Sequence, residues 1–205
     1  KILNRHSNIY NSLALSAMIL LLYNPNYLFD VGFQLSFAAV LSIIVFQPFV
    51  RKYSYSKNYF LRETKSLLLI SLVAQIGVLP LTLYYFGQFP LLFLVANLIA
   101  IPLSSIVLVL GLVLIPFNFL LPKIAIYLSV FVNFLIDLMN NFTAWIVQFD
   151  TFIIKNIAFH EVLVLLMYVI IGCVIYFVYH PKIKNLSPIL VAVLLFQMGY
   201  FFLNS

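Results

Sequence analysis

Seven apolar runs succeed one another along this chain, at residues 10–23, 31–49, 66–86, 91–115, 124–149, 162–179 and 188–203. A helix needs about 20 residues to cross a hydrocarbon layer about 30 Å thick, and all but the first run reach or approach that length. Inside such a layer every backbone N–H and C=O must be bonded within the protein, so unbroken runs of this kind fold as helices. The expected fold is all-α: a polytopic helical membrane protein with about seven transmembrane or membrane-embedded helices in a single domain over residues 1–205. Composition agrees. The chain is 65% hydrophobic and 8% charged, with mean hydropathy +1.14, whereas a soluble domain carries about 25% charged residues. It opens on Lys1 and reads as a fragment of a longer chain. Its one cysteine, Cys173, falls inside an apolar run and reads as a small core residue.

Between the first two runs lies NPNYLFD, whose Asn24-Pro25 pair marks a turn at the membrane surface. Pro102 lies inside the fourth run and predicts a kink there, and Pro122 opens the fifth. Basic residues set the expected orientation, because Lys and Arg near span ends favour the cytoplasmic side. With a cytoplasmic N-terminus, Lys1, Arg5, Arg51, Lys52, Lys57, Arg62, Lys65, Lys123, Lys182 and Lys184 fall inside, and Lys155 alone falls outside. This bias accounts for nearly all of the basic charge. The net charge of +6 therefore does not by itself imply nucleic acid, and the loop RKYSYSKNYFLRETK reads as a topogenic segment on anionic lipid.

Polar residues stand out against this background. In DVGFQLSFAAVLSI, residues 30–43, Asp30 is placed to cap the second helix and Gly32 to admit a close neighbour. Gln34 and Ser36 occupy the turns that follow, and an amide facing lipid is unfavourable, so Gln34 is expected to point into the protein. AQIGVLPLTLYYFGQFP, residues 74–90, puts Gln75 in mid-span, followed by Gly77 and Pro80. LVANLIAIPLSS then sets Asn97 five residues before Pro102, with Ser104 and Ser105 after it. Gly32, Gly77, Pro80 and Pro102 are the expected helix breaks, since a proline leaves a carbonyl without its helix donor. Gln34, Ser36, Gln75, Asn97 and Ser104 are candidates either for lining a channel or for joining helices.

A polar or small stripe runs down the fifth segment through Ser129, Asn133, Asp137, Asn140, Asn141 and Ala144. Three readings of Asp137 compete: a proton-coupling carboxylate, a structural carboxylate hydrogen-bonded by Asn133 or Asn141, and a helix lying flat on the membrane. The structural reading ranks first. Aromatic residues at segment ends, among them Tyr84, Tyr85, Trp145, Tyr176 and Tyr179, are assigned to interfacial belts. His6, His160 and His180 are scattered, and neither a zinc-helix spacing, a nucleophile elbow nor a phosphate-binding glycine loop occurs. No catalytic residue, metal or cofactor is therefore expected, and the segment is read as non-enzymatic.

GFQLSFAAVLSI, the AQIGVLPLTLYYFGQFP block and ANLIAIPL, in this order and after NSLALSAMILLLYNPNYLFD, closely resemble the membrane-embedded competence domain of the ComEC family. The resemblance is specific over residues 5–112 and looser beyond. It implies a multi-pass protein of the bacterial cytoplasmic (inner) membrane that passes one DNA strand inward during natural transformation. It also implies partners: single-stranded DNA, the bilayer, a cytoplasmic helicase-like motor and single-strand binders. Full-length members add an outer N-terminal domain and a metallo-beta-lactamase-like domain, the latter the family's suspected nuclease; neither lies in these 205 residues.

The expected function is thus the transmembrane channel part of a DNA uptake machine, with the polar faces of the second, third and fourth helices around a narrow path. The alternatives are a proton- or ion-coupled small-molecule transporter, favoured by Pro102 and Asp137, and a membrane scaffold without transport.

Overall fold

The computed structural model describes residues 8–204. Lys1, Arg5 and His6, and the side chain of Lys184, lie outside the described residues. Seven helices follow in order: α1 (Ile9–Tyr23), α2 (Val31–Ser54), α3 (Tyr59–Phe86), α4 (Phe93–Leu120), α5 (Pro122–Val147), α6 (Glu161–Tyr179) and α7 (Ser187–Asn204). Two short strands, β1 (Phe89–Pro90) and β2 (Ile153–Ile154), pair with each other. The all-α expectation holds. The helices α2 to α6 are long and apolar enough to cross a membrane, while α1 and α7 are shorter.

The helix starts follow local chemistry. Asn8 accepts from the Tyr10 N–H, Asp30 from Phe33 and Asn58 from Phe60, so each of these side chains satisfies a donor that its helix leaves free. Asn24 accepts from the Asn26 N–H at the head of a 3₁₀ turn, Pro25–Phe29, which is the expected turn between the first two spans. Gly87 ends α3 at φ +59, a left-handed conformation that glycine adopts without strain.

The expected helix breaks are not breaks. Gly32 sits in the first turn of α2, Gly77 and Pro80 lie inside α3, and Pro102 lies inside α4, with every one of these helices continuous. A proline removes a single N–H, and the bonds of the adjoining turns carry the helix past it. Pro48 and Pro116 are likewise internal. Among the described residues, a Cβ at Gly32 would meet the carboxylate of Asp30 at 3.1 Å and no neighbouring helix within 4 Å.

Instead of one body, the chain forms two compact units, Lys1–Phe89 with Lys155–Ser205, and Pro90–Ile154. In the first, α2 and α3 run antiparallel at very close range. A Cβ at Gly77 would collide with Ser42 and come within 2.8 Å of the Ala38 carbonyl oxygen. Ser42 Oγ donates to the Val73 carbonyl at 2.6 Å. From α6, the Tyr168 hydroxyl donates to the Gly77 carbonyl at 3.0 Å. Phe46, Val50 and Val73 pack beside this contact as a buried apolar cluster. The Ile157 N–H bonds the Gly87 carbonyl at 2.9 Å, so the end of α3 and the approach to α6 lie at one end of the unit.

The second unit is a hairpin of α4 and α5 joined through Leu121. Its less exposed residues recur at alternating three- and four-residue steps, Phe93, Ala96, Ala100, Leu103 and on to Phe117 in α4, and Ala125, Leu128, Val132, Leu135 and on to Ile146 in α5. That spacing is the seam of a coiled-coil pair.

Gly77→Ala is expected to lower stability by about 1–3 kcal/mol, the range for forcing one carbon into a filled core. Gly111→Ala meets nothing within 4 Å and should raise stability by up to about 1 kcal/mol through helix propensity. Thermal melting of the two variants in the same detergent checks both signs.

Candidate functional site

The polar side chains divide into those that bond across helices and those that do not. Gln34 belongs to the first group. Its Nε2 donates to the Leu28 carbonyl at 2.8 Å, and its Oε1 accepts from the Tyr85 hydroxyl at 2.7 Å. It ties the turn before α2 to the last turn of α3, which is an architectural task and not that of a channel wall. Tyr84 donates to Glu161 Oε1 at 2.9 Å, joining α3 to α6, and Tyr179 donates to the Val45 carbonyl, joining α6 to α2. These tyrosines are interhelical struts where belt residues were expected. The sequence carried no signal for that, because a tyrosine at a helix end suits both tasks.

Gln75 and Asn97 fall in the second group: among the described residues neither has a hydrogen-bond partner, and both are partly exposed. The helix-joining reading does not fit them. On α3, at about 100° per residue, Gln75 lies about 200° from both Val73 and Gly77, away from the face that meets α2. Thr64 and Thr82, 11 and 7 residues from Gln75, share its face and are also partly exposed. The seven-residue step to Thr82 was present in the sequence and was not used. Ser36 is exposed on α2 and is bonded to nothing described.

In the second unit the polar residues gather on one flank. Asn97, Ser104 and Asn118 each come one step after a seam residue of α4, as Ser129 and Thr143 do in α5. In an antiparallel pair these positions fall on the same side of both helices. Asn133, Asp137 and Asn140 continue that flank round α5, all exposed. The hydroxyls turn back onto their own helices: Ser104 and Ser105 donate to the Ile101 carbonyl, Ser129 to Ile126 and Thr143 to Met139. The amides and Asp137 have no partner of this kind. Asp137 is not bonded to Asn133 or Asn141, so the structural reading that ranked first lacks the hydrogen bond it needed. The cause is geometric, since residues four apart on a helix are near neighbours whose short side chains point outward in parallel.

An unbonded carboxylate and several amides in helices of spanning length must face either water or another protein surface, because lipid offers them no partner. Among the described residues no three His, Cys, Asp or Glu side chains come together as metal ligands.

The fold defines a polytopic helical membrane protein, with a polar flank along two helices of spanning length. The chain belongs to the competence protein family, which matches residues 1–181. ComE operon protein 3 of Bacillus subtilis (strain 168) is 37% identical over 91 residues, which are 44% of this chain and 11% of that protein. The match thus spans a small part of the relative's length. No solved structure matches. The resemblance to the ComEC family read from the three sequence blocks is borne out.

Gln34→Leu and Tyr85→Phe should each lower the melting temperature, and together they should cost less than the sum of the two. The coupling expected for one intramembrane hydrogen bond is about 0.6 kcal/mol, with a ceiling near 1.7. A double-mutant cycle in detergent measures it; strictly additive losses would mean that the bond does not form.

Proposed function

We propose that this chain is the transmembrane part of a DNA uptake machine, passing single-stranded DNA across the bacterial cytoplasmic membrane during natural transformation without chemistry of its own. The observation that carries the reading is the polar flank of the α4–α5 hairpin, where Asn97, Asn118, Asn133 and Asn140 are unbonded in helices of spanning length. Membership of the competence protein family supplies the direction. Neutral amides suit a moving polyanion: each can donate to a phosphate oxygen and release it, and conduction needs several weak sites rather than one strong site. Gln75, with Thr64 and Thr82 on its face of α3, offers the first unit a similar wall.

Driving force then comes from outside the chain, from a helicase-like motor and single-strand binders on the cytoplasmic side. An outer N-terminal domain and a metallo-beta-lactamase-like nuclease domain of a longer chain would prepare the strand. Orientation follows the basic residues, with the loop at Lys57 cytoplasmic and the turns at Gly87 and Ile157 outside.

Asp137 favours a second reading, a proton- or ion-coupled transporter. Its charge repels phosphate and attracts cations, and it sits on the same flank. Under the DNA reading Asp137→Asn leaves uptake intact or raises it; under the coupled reading it abolishes transport.

Labelled-DNA uptake and thermal melting, measured on the same variants, test the proposal. Gln75→Leu and Asn97→Leu should melt within about 0.5 kcal/mol of the parent, as expected of side chains without partners, yet reduce DNA entry by dewetting the path. Uptake that merely follows the amount of folded protein would remove both residues from the path. Orientation has its own check: cysteines replacing Gln88 and Ala158 should label from the outer side and one replacing Lys57 from the cytoplasmic side. Labelling of the first two from opposite sides would break the alternation.

A further inference from the structure

At the end of the first unit where α2 finishes and α6 ends, a cavity of about 350 Å³ opens between the two helices, lined by Pro48, Phe49, Tyr53, Phe177 and Tyr179, with Lys52 at its mouth. Lys52 Nζ stands 5.4 Å from the centre of the Tyr53 ring, a cation–π distance that holds the ammonium over an aromatic wall. A second cavity of about 420 Å³ lies between α2, α3 and α6, lined only by apolar side chains such as Leu69, Leu72, Ile170 and Val174. Phe49 and Val178 line both, so the two cavities adjoin at these side chains. From Val178 to Ile170 the groove follows α6 for about 12 Å at 1.5 Å per residue. Among the described residues no carboxylate lines either part.

We propose that this groove is a binding site for an anionic phospholipid, with the phosphate at Lys52 and one acyl chain in the apolar cleft between α2, α3 and α6. Each half selects part of that molecule. A cation at the mouth distinguishes an anionic headgroup from a zwitterionic one, and basic pockets between transmembrane helices are a recurrent form of such recognition. Arg51, in the last turn of α2, adds to the positive field at this end. The deeper cleft has no polar side chain to receive a sugar or a phosphate, so a nucleotide could occupy the mouth alone and would leave the cleft unfilled. An acyl chain fills it, and its burial is favourable at about 0.8 kcal/mol per CH₂. The Tyr179 hydroxyl on the Val45 carbonyl fixes α6 against α2 at this level, so the walls are held before the lipid arrives. Because the lipid touches α2, α3 and α6 together, it would stabilise the same three helices that meet at Gly77.

The test is thermal melting of the full chain in neutral detergent, titrated with phosphatidylglycerol and with phosphatidylcholine of the same acyl chains. Phosphatidylglycerol should raise the melting temperature at about fivefold lower concentration than phosphatidylcholine, the weight of one lysine near an anionic headgroup. Lys52→Gln, at an exposed position, should remove that preference without lowering the melting temperature in the absence of lipid. Val178→Trp should weaken the response to both lipids by filling the groove where its two parts join, and inorganic phosphate alone should produce no shift. Equal responses to the two lipids, an undiminished preference in Lys52→Gln, or a shift from free phosphate would each overturn the proposal. Stabilisation by an oligodeoxythymidylate that Lys52→Gln abolishes, with none from phosphatidylglycerol, would overturn it in favour of nucleic acid.

Discussion

Where α2 passes α3, the Cα of Gly77 lies against Ser42 and the carbonyl of Ala38, so the two backbones approach as closely as the missing side chain allows. In a membrane this approach replaces the hydrophobic effect as the source of cohesion, because lipid tails are as apolar as leucine and do not drive helices together. Dispersion contacts and the two hydrogen bonds that become possible at short range do so instead, Ser42 to Val73 and Tyr168 to Gly77. The second bond recruits α6. The rest of the first unit is built outward from there: the apolar cluster at Phe46, Val50 and Val73 toward the basic end, and the Gln34–Tyr85 and Tyr84–Glu161 struts toward the other.

A sorting of polar groups follows from that close contact. Ser42, Gln34, Tyr85 and Tyr168 are used up in holding helices together. Gln75, Asn97, Asn133, Asp137 and Asn140 make no such bonds and lie on other faces. Of the two α2 candidates, Gln34 therefore belongs to the helix contact, while Ser36 stays exposed and is bonded to nothing described. The second unit instead keeps an apolar seam between α4 and α5 and a polar flank beside it, so cohesion and unbonded polar groups occupy different sides of the same two helices.

Much of this was legible in the sequence. The seven helices, the Asp30 cap and the Asn24-Pro25 turn depend on local chemistry, which a single stretch of chain carries in full. What Gln34 would bond to did not depend on its neighbours in the chain, since Tyr85 lies 51 residues away and looked like a belt residue. Gly77 was visible only as a candidate break, because nothing near it in sequence says that Ser42 will lie against it. Pro80 and Pro102 were visible as places that lose one bond each, and the helix continues through both because the adjoining turns are held. The flank joining Asn97 to Asn133 and Asp137 needed both the seam of α4 and that of α5 before either stripe could be seen as half of one surface.

The division between bonded and unbonded polar groups is the centre of this account, and water access tests it most directly. Single cysteines at positions 75, 97 and 133, in a chain with Cys173 replaced by alanine, can be exposed in native membranes to a charged thiol reagent that does not enter lipid. All three should react, and single-stranded DNA should slow the reaction, while a cysteine at Ile106, an exposed apolar position of α4 about 180° from Asn97, should stay unmodified. If positions 75, 97 and 133 are as inert as 106, those side chains do not face water and the polar flank is not a path.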